Sequence, residues 1–258
     1  MTKVISELYN YRQLLKTTIL KDFRGKYKKS FFGVLWSFIN PLLQLAVYSL
    51  VFPFIMRIQE ENYTMFLFVA LVPWTFFTSS IAQCTNCIVY NGGIIKKVYF
   101  PREILPIAAV ANGAINFLIS CIIIFAALII SGIGFSVYAL YLPFILLVQC
   151  MITLALSFIL SAITVYIRDL EYFINILLML WMYLTPIVYP SSLIPEKFLP
   201  IFNLNPMMHI ITSYRNILYY KTAPDLPGLS VVLGIGTVCM VLCYLVFKKL
   251  EKRFAEEI

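Results

Sequence analysis

Cysteine and histidine, the side chains that most often ligate transition metals or carry redox chemistry, are few and poorly spaced for either task. Cys84 and Cys87 form a Cys-x-x-Cys pair, but no second pair and no histidine lie near them in the sequence. Cys239 and Cys243 are one helical turn apart, and both pairs lie in apolar runs, where cysteine behaves as a small hydrophobe. The single histidine, His209, has no carboxylate or serine beside it. The sequence therefore predicts neither a metal site nor a catalytic constellation.

Nucleotide binding through a P-loop needs the pattern Gly-x-x-x-x-Gly-Lys-Ser/Thr, in which backbone amides cradle the phosphates. The nearest approach is Gly25-Lys26-Tyr27, which has Leu20 where the first glycine belongs. Charged residues that could relay protons or ions are almost absent between the ends of the apolar runs. Those at the edges of the runs are Glu103, Arg168, Asp169 and Glu171. We therefore expect any uphill transport by this chain to take its energy from another chain.

The elements that must carry these residues are long apolar runs. Of the 258 residues, 61% are hydrophobic and only 12% are charged, and the mean hydropathy is +0.88. A soluble domain has about 25% charged residues, so part of this surface must face lipid. Six runs lack charged residues and approach or exceed the length of about 20 residues that a membrane-crossing helix needs. They are residues 31–56, 65–90, 104–133, 137–167, 172–189 and 226–247.

The basic residues predict how these six spans are oriented. The net charge of +8 would suggest nucleic acid in a soluble protein, but the distribution of Lys and Arg points to a membrane. With the N-terminus in the cytoplasm, 16 of the 20 Lys and Arg fall in inner segments, namely 1–30, 91–103, 168–171 and 248–258. Because cytoplasmic loops carry the excess of basic residues, both termini are predicted to be cytoplasmic.

Residues 1–30 are predicted to form an amphipathic helix at the cytoplasmic interface. Apolar residues recur there at intervals of three or four, which places them on one helical face. They are Val4, Leu8, Tyr11, Leu15, Ile19 and Phe23. The basic cluster that follows, Arg24, Lys26, Lys28 and Lys29, either fixes the topology or binds the phosphates of a lipid headgroup.

Two loops are unusual. Residues 91–103 mix apolar and charged side chains, which fits either a solvated loop or a short helix that docks into a cytoplasmic partner. Residues 190–225 contain several prolines and short apolar pieces that are too short to span. Non-helical backbone near lipid requires cover by protein or water, so we expect short re-entrant helices there that form an outer gate.

Aromatic residues lie well inside several spans. Rings that line a conduit could stack on sugar rings and let them slide, whereas the alternative for each ring is ordinary core packing. The candidates are Trp36, Tyr48, Phe52, Trp74, Phe76, Phe77, Trp181 and Tyr183.

Several stretches occur together in a characteristic order. They are 24–36 (RGKYKKSFFGVLW), 40–42 (NPL), 72–77 (VPWTFF), 95–106 (IKKVYFPREILP), 166–170 (YIRDL), 185–190 (TPIVYP), 205–206 (NP) and 214–215 (YR). In this order and spacing, which cover nearly the whole chain, the sequence resembles the membrane subunit of polysaccharide-exporting ABC transporters, the class that exports O-antigen, capsule or teichoic acid.

The resemblance implies an all-α, polytopic permease of the bacterial inner membrane, with residues 1–258 forming one transmembrane domain. It implies a homodimer that pairs with two ATP-binding subunits, which hold ATP and magnesium, while this chain holds no cofactor and binds no nucleic acid. The substrate would be a polysaccharide carried on undecaprenyl diphosphate, above all the O-antigen of lipopolysaccharide, and membrane lipid would surround the subunit.

The same resemblance assigns residues to roles. The coupling segment for the ATPase would comprise Ile94, Ile95, Lys96, Lys97, Val98, Tyr99, Phe100, Pro101, Arg102 and Glu103. The entrance for the lipid diphosphate would comprise Arg24, Lys26, Lys28, Lys29 and Arg168. The eight aromatics above would line the channel. The outer gate would include Pro190, Pro195, Asn205, Pro206 and Arg215.

Two other classes stay open at this point. An ABC exporter of drugs or lipids could have the same fold, although the stretch 96–103 argues against it. A membrane-embedded lipid-modifying enzyme would need carboxylates or a histidine at a span end, and only residues 168–171 come near that pattern.

Overall fold

A computed structural model describes residues 9–27, 36–56 and 60–258, and these residues form helices and turns without a strand. We number the α-helices in chain order. They are α1 (Arg12–Tyr27), α2 (Trp36–Met56), α3 (Tyr63–Tyr90), α4 (Gly92–Ile95), α5 (Ile104–Ile130), α6 (Leu142–Tyr166), α7 (Leu170–Tyr183), α8 (Leu199–Asn203), α9 (Pro206–Arg215), α10 (Leu226–Leu250) and α11 (Phe254–Glu257).

Four helical stretches in the described part of the chain are long and apolar enough to cross a membrane. They are Tyr63–Tyr90, Ile104–Ile130, Val137–Tyr166 and Leu226–Arg253. They coincide within a few residues with the predicted spans 65–90, 104–133, 137–167 and 226–247. The third begins as a 3₁₀ turn, Val137–Tyr141, before α6. The prediction of an all-helical protein with several membrane-crossing helices is thus confirmed.

The first and fifth predicted spans correspond to shorter apolar helices, Pro41–Pro53 and Leu170–Tyr183. For the predicted span 31–56, residues 31–35 lie outside the described residues, and α2 contains Pro41 and Pro53. For the predicted span 172–189, the helix α7 ends at Tyr183. Pro186 follows closely, and a proline disfavours helical backbone at the residue before it. With 14 residues α7 is roughly 21 Å long, shorter than a hydrocarbon core of about 30 Å.

Helix α3 is the centre of the bundle, packed against α2, α5 and α6. In its most apolar window 78% of the residues are buried, against 17% in α10, whose exposed face is therefore free to contact lipid. Gly113 of α5 allows the close approach of α3, because a Cβ there would overlap Ser80 Oγ and lie 2.9 Å from Phe76 Cδ2. Gln149 of α6, fully buried, donates from Nε2 to the Pro73 carbonyl at 2.8 Å.

The bundle has two ends. We call the end that carries residues 91–103, 167–169 and 251–258 the proximal end, and the end that carries residues 60–62, 131–141 and 184–225 the distal end. A separate apolar cluster holds the proximal end together. Its side chains come from α3, α5, α6 and α10 and from the segments 91–103 and 251–258. Its largest members are Phe100, Phe158, Phe247 and Phe254.

Candidate functional site

The predicted coupling segment, residues 91–103, has an exposed and a buried side. Helix α4 is a single turn, and the rest of the segment consists of turns and irregular backbone. Five of its ten predicted residues are exposed, and Tyr99, with 81% of its surface exposed, protrudes most. We call these five the docking patch: Ile94, Lys96, Lys97, Val98 and Tyr99. The patch offers apolar groups and two positive charges to whatever lies beyond the proximal end.

The other predicted coupling residues face inward. Ile95, Phe100 and Pro101 are buried, and the first two belong to the proximal apolar cluster. Glu103 is fully buried, and its carboxylate lies 2.8 Å from Lys248 Nζ of α10. Arg102 is half-buried and donates from its guanidinium to the carbonyl of Glu251. These residues anchor the segment, and within residues 94–103 the docking patch is the exposed part.

Helix α1 lies beside this segment on the proximal end of α5. Tyr11 and Leu14 pack against the proximal apolar cluster, which agrees with an amphipathic helix. Of the six predicted apolar residues, Val4 and Leu8 lie outside the described residues, and the side chain of Phe23 is not described. Lys21 Nζ donates to Asn91 Oδ1 at 3.4 Å, which ties α1 to the start of the coupling segment.

A cleft opens between α1 and the proximal end of α3. It is lined by Lys21, Asp22, Ser79, Gln83, Cys87, Tyr90 and Asn91. Burial in this cleft raises the pKa of the Asp22 carboxyl. The lining combines a lysine, a carboxyl group, two amides and a hydroxyl with the side chains of Cys87 and Tyr90, and this mixture suits an amphiphilic group better than a free ion.

The predicted diphosphate entrance is described only in part. Arg168 is exposed in the turn between α6 and α7 at the proximal end. Lys28 and Lys29 lie outside the described residues, and the side chains of Arg24 and Lys26 are not described. Whether these five cations meet therefore stays a prediction.

The eight predicted channel aromatics fall into three groups, which are buried, half-buried and exposed. Trp74, Phe76 and Phe77 are buried in the core of the subunit, where Phe77 lies 5.3 Å from the ring centroid of Trp181 and 5.5 Å from that of Trp74. Core packing, the alternative recognised from the sequence, describes their surroundings here. Trp181 is half-buried, and so are Tyr48 and Phe52, whose ring centroids are 5.4 Å apart.

Trp36 and Tyr183 form the exposed group, with 39% and 49% of their surfaces accessible. Trp36 lies at the start of α2 and Tyr183 at the end of α7. The faces of α2 and α7 around them are apolar and open.

Asn205 fastens the predicted outer gate to α7. Its Oδ1 caps α9 by accepting from Met207 N at 3.0 Å and also accepts from Trp181 Nε1 at 2.9 Å. Its Nδ2 donates to Thr185 Oγ1 at 2.9 Å and to the Leu184 carbonyl at 3.0 Å. The following Pro206 occupies the first turn of α9, where its missing N–H leaves no bond unmade.

Arg215 fastens the same segment to α3. Its guanidinium is buried, donates to the carbonyls of Pro186 at 2.8 Å and Ile187 at 2.9 Å, and lies 3.6 Å from the ring centroid of Phe66. Tyr63 of α3 adds a hydrogen bond of 2.6 Å to the Val188 carbonyl.

Pro190 and Pro195 each precede a 3₁₀ turn in extended backbone. With these turns, α8 and α9, the segment between α7 and α10 consists of short helical pieces at the distal end. The sequence predicted such pieces there.

The sequence did not reveal a pair formed by His209 and Asp225, which are 16 residues apart. His209 Nδ1 lies 2.6 Å from Asp225 Oδ2, and His209 Nε2 lies 2.9 Å from the Asn203 carbonyl. A carbonyl only accepts, so Nε2 must donate, and the contact with the carboxylate then needs a second proton between the two groups. Asp225 also accepts from Gly228 N at 3.0 Å and caps α10. The only signal in the sequence was the helix-starting pattern Asp225-Leu226-Pro227.

The described residues provide surfaces for binding and contacts that hold segments in position. No group of three His, Cys, Asp or Glu side chains within residues 9–27, 36–56 and 60–258 could hold a metal ion. What the described residues offer is an accessible patch at one end, a fastened set of short helices at the other, and apolar helices between them.

Comparison with known proteins identifies this architecture. The sequence profile of the family described as "ABC-2 type transporter" matches residues 13–219, which is most of the chain. The chain belongs to the ABC-2 type transporter family. It is therefore a transport subunit and a multi-pass protein of the bacterial inner membrane. The membership predicted from the motifs is confirmed.

Three relatives extend the match to the whole length, and each is named O-antigen export system permease protein RfbA. The one from Myxococcus xanthus is 34% identical over 260 residues, which cover 100% of both chains. Two from Klebsiella pneumoniae are 37% and 36% identical over 244 residues, which cover 94% of both chains in each case.

Proposed function

We propose that this chain is the permease subunit of an ABC exporter that moves a polysaccharide, most specifically an O-antigen, across the bacterial inner membrane. The observation that carries the proposal is the match over 94–100% of the length to three permeases named for O-antigen export. The functional unit would be a homodimer with two ATP-binding subunits, and these subunits would bind ATP and magnesium.

In this proposal each subunit crosses the membrane six times and both termini are cytoplasmic. Helices α2 and α7 would cross the membrane in addition to the four long helices, which gives six spans. The proximal end would face the cytoplasm. The concentration of Lys and Arg in segments that the fold gathers at the proximal end supports this orientation. The short helices between α7 and α10 would dip back from the outer side as the gate.

The docking patch is the proposed contact with the ATPase. Its three apolar side chains need a partner groove that removes them from water, and Lys96 and Lys97 favour an acidic rim around that groove. The proposal narrows the surface that contacts the ATPase to these five residues, since the other five residues of 94–103 are buried or half-buried.

The proposed substrate is attached to undecaprenyl diphosphate. Arg168, with Arg24, Lys26, Lys28 and Lys29, would attract the diphosphate at the proximal end, because basic clusters beside a span bind anionic headgroups. The cleft beside α1 would hold part of the same amphiphilic molecule.

The open faces of α2 and α7 support the proposed homodimer. Each of the two helices exposes large apolar side chains along one of its own sides. They include Leu43, Val47 and Leu50 on α2 and Phe173, Ile176 and Leu180 on α7. Facing a second subunit, the exposed Trp36 and Tyr183, with Tyr48 and Phe52, would be placed to contact sugar rings.

The experiment that tests the proposal is co-expression with the ATPase encoded beside the gene. The complex should purify intact, and cells lacking the permease should lose surface polysaccharide while lipid-linked polymer accumulates inside. Charge reversal at Lys96 and Lys97 should uncouple hydrolysis from export, whereas Lys252→Glu, at an exposed lysine outside the patch, should not. A deletion strain with normal surface polysaccharide but altered drug or lipid efflux would refute the proposal.

A further inference from the structure

The buried side of the coupling segment packs against α10, the last long helix, and against residues 251–258. Lys248 of α10 lies 2.8 Å from a carboxylate oxygen of Glu103 and 3.0 Å from Glu251 Oε2. Tyr244 Oη, one turn earlier on α10, donates to Glu103 at 3.4 Å. Glu103 and Lys248 are 145 residues apart in sequence, so this contact joins two otherwise distant parts of the subunit.

A second set of contacts closes over the same segment. The backbone N of Arg102 donates to Glu251 Oε1 at 3.4 Å, and its guanidinium donates to the Glu251 carbonyl and lies 5.9 Å from the ring centroid of Phe254. Phe254 is fully buried, with its ring 5.7 Å from that of Phe247. Ile258 occupies the space that a Cβ on Gly92 would need, so the last residue of the sequence touches the start of α4.

Burial makes these contacts specific. Glu103 has no exposed surface, and a carboxylate in such a place is strongly destabilising unless a cation and hydrogen-bond donors compensate its charge. Lys248 supplies the cation and Tyr244 a donor. The coupling segment therefore has a preferred resting place on α10, and the docking patch on its other side stays accessible.

We infer that Lys248, Glu251 and Phe254 are positioning residues for ATP coupling. They hold the coupling segment against the cytoplasmic end of α10, so that a displacement of the docking patch moves the last span with it. Without these contacts the docking patch would still bind its partner, but the coupling segment would move alone and α10 would stay in place. The inference rests on the proposed function, because it assumes that the patch receives an ATPase.

Lys248→Gln is the primary variant, and Lys249→Gln, at the adjacent exposed lysine, is its matched control. For Lys248→Gln we expect an intact complex, ATP hydrolysis close to that of the wild type, and export per ATP lowered by at least about tenfold. Leaving the buried Glu103 carboxylate without its cation costs more than the ~1.4 kcal/mol that corresponds to a factor of ten. The control should behave as the wild type. Exchanging the charges, Glu103→Lys with Lys248→Glu, should restore much of the export, because the pair is re-formed in the opposite sense. The exchange is made together with Glu251→Gln, because Glu251 lies 3.0 Å from Lys248 and would otherwise repel a carboxylate at position 248.

A covalent test covers the case in which the exchanged pair does not fold. Cysteines introduced as Arg102→Cys and Glu251→Cys remove the polar contacts between the two residues, and a short bismaleimide linker then replaces them. Export should be low before linking and recover after it, because a coupling segment and a last span that move as one body tolerate a permanent bond. The wild-type complex treated with the same reagent is the control.

The inference is overturned if Lys248→Gln exports as much per ATP as the wild type, or if it loses the ATPase from the complex. It is equally overturned if linking residues 102 and 251 blocks export, because the two elements would then have to move relative to each other. Failure of the proposed function is a different result, visible in the wild type, which would neither bind the ATPase nor export polysaccharide.

Discussion

Replacement of Arg215 by methionine should loosen the proposed outer gate, residues 190–225, because one buried guanidinium holds this segment to the subunit core. Arg215 donates to two buried carbonyls, those of Pro186 and Ile187, and stacks on Phe66. Burial lowers the pKa of the guanidinium to about 10, which still leaves the side chain charged at neutral pH. Methionine fills a similar volume but cannot donate to either carbonyl.

The magnitude follows from what is left behind. Removing the charge recovers the free energy spent on its burial, which offsets much of the lost attraction. The remaining loss comes from two buried carbonyls without a donor, each costing about 1–3 kcal/mol, so the free energy of unfolding should fall by roughly 2–6 kcal/mol. Lysine keeps the charge but presents no fork, so Arg215→Lys should fall between the wild type and Arg215→Met.

The assay is thermal unfolding of the purified subunit in detergent, together with proteolysis of residues 190–225 in proteoliposomes. We expect a lower Tm and faster cleavage of the gate segment for Arg215→Met, with Arg215→Lys intermediate. Lys221→Met, at an exposed residue of the same segment, serves as the control. An unchanged Tm and unchanged cleavage for Arg215→Met would refute the argument that this side chain holds the gate.

Other parts of the subunit give three further predictions. Gly113→Val should lower Tm more than any change on the lipid-facing side of α10, since its Cβ would overlap Ser80; a Tm within error of the wild type would show that the helices separate easily. Asp22→Asn should raise Tm at pH 7.5, because burial destabilises the ionised carboxyl and so raises its pKa from 3.8. The gain should shrink as the pH falls through the raised pKa and vanish below pH 3.8, where the carboxyl is protonated in the folded and the unfolded state alike. A Tm difference that does not depend on pH would contradict this. His209→Ala and Asp225→Ala should each speed proteolysis of the gate segment, because each removes one partner of the same contact. Additive effects in the double variant would argue against a direct pair.

The long spans could be predicted from the sequence because lipid imposes a simple rule on them. Four predicted spans agree with the helices within a few residues, since an uncharged run of this length leaves the backbone little choice but a helix. The predicted span 172–189 was too long because hydropathy does not register where a helix ends. Tyr183 is followed by a turn before Pro186, although residues 184–189 are as apolar as those before them.

The site was less predictable than the spans because burial of a loop residue depends on distant parts of the chain. The motif around residues 95–106 located the coupling segment but could not show that Glu103 faces Lys248 rather than a partner. Likewise, Trp74 and Phe77 have the same residue types as a channel lining, and only their packing in the bundle shows that they are buried. His209 lacked a carboxylate neighbour in sequence and has one in space.

Helix α10 is held at both of its ends, by Asp225 with His209 at the distal end and by Lys248 with Glu103 at the proximal end. Its 25 residues extend roughly 37 Å, and each residue turns the helix by about 100°. Inserting or deleting one residue between the two ends would leave one of the pairs facing the wrong side of the helix. The last span therefore has a fixed rotation about its own axis as well as a fixed length. Homologous subunits that keep both pairs can change its lipid-facing side chains freely, but not the number of residues between the two pairs.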